Sequence, residues 1–242
     1  MFSLSLHPHF IFEALAYFVG FRIYAWQKRR QPDPLENSDR LAVIAAAVLG
    51  AALGSKILYW FCDPGLTWQN RNNFYYLMSG KTIVGALIGG LFAVELAKKC
   101  MGVTARSGDL FALPLAIGIA IGRVGCFLSG LEDRTYGIAT RLPWGVDLGD
   151  GILRHPVQIY EIIFLLILAF YLLQRQRQSH RQGDLFKIFM TSYFTFRLLI
   201  DFLKPEVKFA GLSILQWSCI AMLLYYAKDL THLFFKKELS QA

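Results

Sequence analysis

Leu41-Ala-Val-Ile-Ala-Ala-Ala-Val-Leu-Gly-Ala-Ala-Leu-Gly-Ser-Lys-Ile-Leu-Tyr-Trp-Phe61 carries a single charge, Lys56. A helix needs about 20 residues to cross about 30 Å of hydrocarbon, and this run has that length. Further apolar runs occupy 10–26, 82–97, 110–128, 157–173, 185–203 and 212–226. The run at 82–97 is short, and those at 110–128 and 185–203 contain arginines. Composition agrees: of 242 residues, 55% are hydrophobic and only 17% charged, against about 25% charged in soluble domains. A soluble domain, a disordered chain, a disulfide scaffold and a single-span receptor are all disfavoured. The expectation is an all-α, polytopic integral membrane protein of about seven transmembrane helices, with 1–242 forming a single membrane-embedded domain.

Loop charge sets the expected orientation, because short cytoplasmic loops collect Lys and Arg. Fourteen such residues follow the odd-numbered runs: Lys28, Arg29, Arg30 and Arg40; Lys98, Lys99 and Arg106; Arg175, Arg177, Arg181 and Lys187; Lys228, Lys236 and Lys237. Seven lie in the opposite loops, namely Arg71, Lys81, Arg134, Arg141, Arg154, Lys204 and Lys208. The N-terminus is therefore expected outside and the C-terminus in the cytoplasm. Residues 1–9 hold no basic residue and no small-residue cleavage site follows them, so the first run is expected to stay in the mature protein. The net charge of +8 reads as membrane orientation and attraction to anionic headgroups. Its basic residues sit beside apolar runs, and no nucleic-acid motif accompanies them.

Residues 129–156 form the longest outer loop, rich in Gly, Pro, charge and aromatics. A loop of that length is usually functional. The four cysteines (Cys62, Cys100, Cys126, Cys219) form no CxxC or Cys/His grouping, so neither a metal site nor a disulfide framework is legible. No internal repeat pairs the glycine-rich stretches 85–90 and 118–125, which disfavours a carrier built from inverted repeats.

Arg22, Lys56, Arg123 and Arg197 fall inside the apolar runs. A cation at that depth opposes insertion by about 2.5–3.5 kcal/mol and normally faces a polar interior with a task. Arg22 and Lys56 are near run ends and can snorkel. Arg123 stands between Gly122 and Gly125, whose bare backbones permit close approach of a helix or a ligand. Arg197 precedes Asp201 by one helical turn, so the two share a face. The plain alternative for Arg197 is an ion pair with Asp201 that neutralises both. Two arginines near outer loops are, however, what a lipid phosphate requires, since each planar fork offers two hydrogen bonds.

The segment Arg154-His155-Pro156-Val157-Gln158-Ile159-Tyr160-Glu161 opens the fifth run. Pro156 suits a helix start, and His155 can exchange a proton near neutral pH. Glu161 inside an apolar run points to function rather than packing. Gly80-Lys81-Thr82 has the look of a phosphate loop, yet Tyr75 occupies the place of its first glycine and no strand precedes it. Lys81 then reads as an interfacial anchor, and Gly85, Gly89 and Gly90 as helix-packing surfaces.

Taken in order, these pieces resemble the bacterial prolipoprotein diacylglyceryl transferase family. The matching stretches are Val84-Gly85-Ala86-Leu87-Ile88-Gly89; Gly122-Arg123-Val124-Gly125-Cys126-Phe127-Leu128-Ser129-Gly130; the His155 to Glu161 segment; Arg197 to Asp201; and Gly211-Leu212-Ser213 with Gln216. The resemblance implies a transferase of the bacterial inner membrane. Such an enzyme moves the diacylglyceryl group of phosphatidylglycerol onto a lipobox cysteine of a prolipoprotein and releases glycerol phosphate at the outer face. Matched residue by residue, it implies catalytic roles for Arg123, Arg197, His155 and Glu161. Substrate contacts fall to Lys81, Gly122, Gly125, Ser129, Glu132, Gln158, Tyr160 and Asp201. No cofactor and no metal are implied. The chain departs from the pattern at three places: Val84 replaces a histidine that is a leading candidate for proton acceptor in the family, and Cys126 and Ser129 replace two asparagines. With Val84 unable to take a proton, His155 is the expected base, with Glu161 orienting it or its neighbours and Lys81 as the other candidate. Cys126 reads as a small buried thiol rather than a nucleophile. Two other readings stay open: a sister transferase with a different acceptor, and a non-catalytic phospholipid-binding or lipid-moving membrane protein.

Overall fold

The structure, a computed structural model, describes residues 8–31 and 33–235. Each of the seven apolar runs is helical: α1 (Pro8–Arg30), α2 (Asn37–Cys62), then, after two short helices α3 (Pro64–Gln69) and α4 (Phe74–Met78), α5 (Ile83–Cys100), α6 (Asp109–Leu128), α7 (Val157–Gln176), α8 (Asp184–Ile200) and α9 (Ile214–Phe235). Of these, α2, α6 and α7 are long and apolar enough by length and composition to cross a membrane. Two antiparallel ribbons complete the fold: β1 (Val146–Asp147) with β2 (Leu153–Arg154), and β3 (Lys208–Phe209) with β4 (Leu212–Ser213). Lys236, Lys237 and most of the leader lie outside the described residues. The chain divides into two compact units, each made from two separate stretches of sequence: 1–32 with 108–205, and 33–107 with 206–242.

In the second unit, α2 and α5 meet backbone to backbone. A Cβ added to Gly54 would lie 2.4 Å from the Gly85 carbonyl oxygen, and one on Gly89 would lie 2.2 Å from that of Gly50. Gly50, Gly54, Gly85 and Gly89 are thus two small-residue pairs at four-residue spacing, the pattern by which helices approach closely in lipid. Thr82 caps α5 through Oγ1, which accepts from the Gly85 N–H. Lys56 does not simply snorkel: its Nζ donates to the carbonyls of Met78, Ser79 and Gly80, which end α4. Ser213 and Gln216 form a reciprocal capping box at the start of α9, each side chain accepting from the other's backbone N–H. Replacing Gly54 or Gly85 with Val should lower the thermal unfolding midpoint, since backbone has no room to yield and overpacking costs about 1–3 kcal/mol. Gly90→Ala, whose Cβ would meet its nearest atom at 3.4 Å, should leave the midpoint nearly unchanged.

In the first unit, α1 lies along α6. Gly125 of α6 is the contact glycine, where a Cβ would come within 2.7 Å of Phe12 Cβ, while the rings of Tyr24 and Phe111 stack at 5.1 Å. Helices α6 and α8 start together: Asp109 accepts from the backbone N–H groups of Gly183 and Phe186. Helix α7 runs back between their ends, its Phe164 stacked on Phe196 of α8 at 4.2 Å. Leu165, Phe189, Met190 and Phe194 are fully buried. The consequence for function is positional: the ends of α6 and α8 and the beginning of α7 gather at one place, beside residues 129–156.

Candidate functional site

Arg123 stands five residues from the end of α6, Glu161 in the second turn of α7, and Arg197 in the last turn of α8. Their side chains converge. Glu161 Oε2 lies 2.8 Å from Arg123 Nε and 3.3 Å from Arg197 Nη1, so one carboxylate oxygen joins two guanidinium groups 74 positions apart. The other oxygen, Oε1, accepts from the Tyr193 hydroxyl at 2.6 Å. Arg197 also meets Asp201 through Nη2 at 2.8 Å, and Lys204 Nζ stands 3.8 Å from the same Asp201 oxygen. All of these residues are buried, Asp201 and Tyr193 completely.

The arrangement has a clear charge balance: three cations against two carboxylates. Buried ions are tolerated only when paired and hydrogen-bonded, so the excess positive charge favours an anion in the site. Arg123 is held by its inner Nε, and one outer nitrogen meets Cys126 Sγ at 3.7 Å. Lys204 lies in the loop beyond α8. Burial, then the neighbouring Arg197, bring its amine down to about 8.

The ion pair between Arg197 and Asp201 that the four-residue spacing suggests is present, but it is one edge of a larger network. Tyr193 and Lys204 extend the same helix face at 193, 197, 201 and 204, and only that periodicity could have marked them in the sequence. Glu161 does not reach His155. Instead His155 Nδ1 lies 3.3 Å from the Tyr160 hydroxyl, which accepts from Trp144 Nε1 at 2.7 Å. The backbone of His155 is pinned by Ile138 and by Gly137, where a Cβ would come within 2.5 Å of the His155 carbonyl oxygen. Gln158 is buried, and its Nε2 donates a long 3.4 Å bond to Thr135 Oγ1. The hairpin before it is closed by Asp147, whose Oδ1 accepts from the N–H groups of Gly149, Asp150 and Gly151.

The remaining candidates divide. Gly122 faces open space, as a ligand-approach glycine would, whereas Gly125 is occupied by packing against α1. Ser129 ends α6 with Oγ donating to the Gly125 carbonyl. Glu132 is exposed in the 3-10 turn Gly130–Asp133. Lys81 is exposed and Val84 is buried; both belong to the second unit. No disulfide joins the four cysteines among the described residues. Cys126, read as a buried thiol, is buried, and it does not stand alone: one donor atom each of His9, Cys126 and Asp133 lie within 4.8 Å of one another.

Comparison with known proteins carries the same motifs further. The family described as prolipoprotein diacylglyceryl transferase matches residues 1–228. A phosphatidylglycerol–prolipoprotein diacylglyceryl transferase of Clostridium tetani is 34% identical over 178 residues, covering 70% of each chain. One from Bordetella parapertussis is 33% identical over 228 residues, covering 87% of this chain and 86% of its own. One from Campylobacter curvus is 29% identical over 260 residues, covering 98% and 92%. The match takes in every element that builds the arginine cluster, and the chain belongs to the prolipoprotein diacylglyceryl transferase family.

Proposed function

We propose that the chain transfers the diacylglyceryl group of phosphatidylglycerol to a cysteine thiol of a prolipoprotein, the activity its relatives' names carry. The observation that supports this most is the convergence of Arg123 and Arg197 on Glu161 with Lys204 alongside, a buried cationic cluster with one charge in excess. Displacement at the glyceryl carbon expels a phosphate monoester. Negative charge grows on the leaving oxygen, and fixed cations in a water-poor site stabilise it far better than in water. Arg123 and Arg197 hold the phosphate and Lys204 adds charge. Glu161, with Tyr193 and Asp201, positions the two guanidiniums and contributes no chemistry of its own. His155 takes the proton of the incoming thiol, with Tyr160 and Trp144 fixing its ring, and Gln158, Ser129 and Glu132 line the approach.

The reading places seven helices across the bacterial inner membrane as one membrane-embedded domain, N-terminus outside and C-terminus in the cytoplasm. The many exposed apolar side chains, such as Phe18, Phe21, Leu53, Ile167 and Phe170, support burial in lipid. The arginine cluster and residues 129–156 then lie at the outer face, where the long loop meets headgroup and acceptor.

Purified protein in phosphatidylglycerol vesicles with a lipobox peptide tests the proposal by mass spectrometry. Diacylglyceryl-peptide and glycerol phosphate in equal amounts are expected. Lipid consumed without peptide product favours a sister transferase, and bound but unconsumed lipid favours a non-catalytic binder. A pH profile adds a sharper check. Because Lys204 is held near 8, its charge is present below that pH and lost above it, so transfer should decline as pH rises through about 8. Lys204→Arg should remove that alkaline limb, because an arginine keeps its charge throughout.

A further inference from the structure

Gln158 stands in the first turn of α7, three residues before Glu161, so the two side chains leave the helix on one face. It is 1% exposed, and its Oε1 is buried with no hydrogen-bond partner among the described residues. The other end of the amide is engaged, since Nε2 donates to Thr135 Oγ1 at 3.4 Å. Thr135 in turn donates its hydroxyl proton to Asp133 Oδ2 at 2.6 Å, and Asp133 Oδ1 lies 3.1 Å from His9 Nδ1. A carboxylate only accepts and a hydroxyl has a single proton, so toward Gln158 the Thr135 oxygen can only accept. That directs Nε2 to Thr135 and fixes the carbonyl oxygen on the opposite side of the amide.

A buried acceptor without a donor is costly and uncommon in a folded chain, and it marks where a ligand's donor belongs. Residues three apart on a helix have Cβ atoms about 5–6 Å apart. Oε1 therefore lies close to Glu161, which ties Arg123 to Arg197 where the proposed reaction seats the phosphate. In glycerol phosphate the hydroxyls sit on the carbons just beyond the ester carbon, within reach of a group beside the phosphate. A neutral hydroxyl suits the position. An ammonium headgroup would also donate to Oε1, but it would add positive charge to a cluster already one cation in excess.

We propose that Gln158 reads the lipid headgroup, its Oε1 accepting a hydrogen bond from a hydroxyl of the glycerol that leaves on the phosphate, with Thr135 setting the orientation of the amide. The place of the phosphate in this assignment rests on the transferase reading. Gln158 is then a specificity-determining residue and Thr135 a positioning residue. A headgroup of the same length without hydroxyls leaves Oε1 buried and unpaired, which is how a site built around one hydrogen bond rejects an analogue that lacks the donor.

Glycerol phosphate and propyl phosphate differ only in the two hydroxyls, and phosphorus NMR titration of each into the protein in phosphatidylcholine nanodiscs compares them without turnover. Glycerol phosphate is expected to bind about 10-fold or more tightly. Gln158→Met, apolar and of similar length, should bring the two affinities close to equal, whereas a merely structural role for Gln158 would weaken both together and leave their ratio unchanged. Thr135→Val should lose part of the preference, and Thr135→Ser, which keeps the hydroxyl, should retain it; this pair guards against a misfolded Gln158→Met. No binding of either anion, equal affinities in the parent chain, or a preference that Gln158→Met preserves would each overturn the assignment. The same ratio should appear in transfer to a lipobox peptide from phosphatidylglycerol and from phosphatidylpropanol vesicles. Absence of transfer from both lipids with the binding preference intact would count against the transferase reading alone.

Discussion

Arg123→Ala and Arg197→Ala are each expected to lower the transfer rate by about 10²–10³-fold, the usual cost of removing a group that stabilises charge developing in a transition state. The lysine variants separate charge from geometry. Lysine supplies one compact ammonium where arginine supplies a planar fork, so Arg123→Lys and Arg197→Lys should recover only part of the loss. Rates in phosphatidylglycerol vesicles at saturating lipobox peptide check both, and full rescue by lysine would show that the fork is not used. In the proposed reaction the two arginines act on one phosphate. Their double alanine variant should therefore fall short of the product of the two single losses.

Glu161→Gln is expected to have the largest effect on stability. Glu161 bonds to Arg123, Arg197 and Tyr193 at once, and removing its charge leaves two guanidiniums together in the interior. Breaking one partner of a buried ion pair costs about 3–5 kcal/mol, so a clear fall in the thermal midpoint should accompany the loss of transfer. The positioning role predicts more than instability. Within Glu161→Gln protein that remains folded, a further Arg197→Gln change should cost much less than it does in the parent chain, because the pair is already broken. Equal costs in both backgrounds would remove Glu161 from the cluster.

The helices were legible because apolar runs about 20 residues long have few other uses, and each of the seven runs is helical. Their limits were less clear. Helix α5 extends to Cys100, since Lys98 and Lys99 continue the helix that an apolar count ends at Ala97, and the short α3 and α4 have no long apolar period to reveal them. Arg123, Glu161 and Arg197 stood out because ions are costly in an apolar run, but their meeting could not be read: sequence separation carries no information about distance across a bundle. Glu161 was expected to orient His155 or its neighbours. Helix geometry separates them, since His155 precedes α7 while Glu161 points from its second turn toward α6 and α8. Gly125 shows a different limit, because a glycine that admits a ligand and one that admits a neighbouring helix look alike in sequence. His9, Cys126 and Asp133 had no spacing signal at all.

In the proposed reaction the Glu161-tied arginines bind the phosphate of the leaving group. Phosphorus NMR titration of glycerol phosphate into the protein in lipid nanodiscs measures that binding directly, without acceptor or turnover. Saturable binding to the parent chain is expected, weakened about 10-fold or more in both Arg123→Lys and Arg197→Lys, since lysine lacks the planar guanidinium. Binding of undiminished affinity in both variants would contradict it.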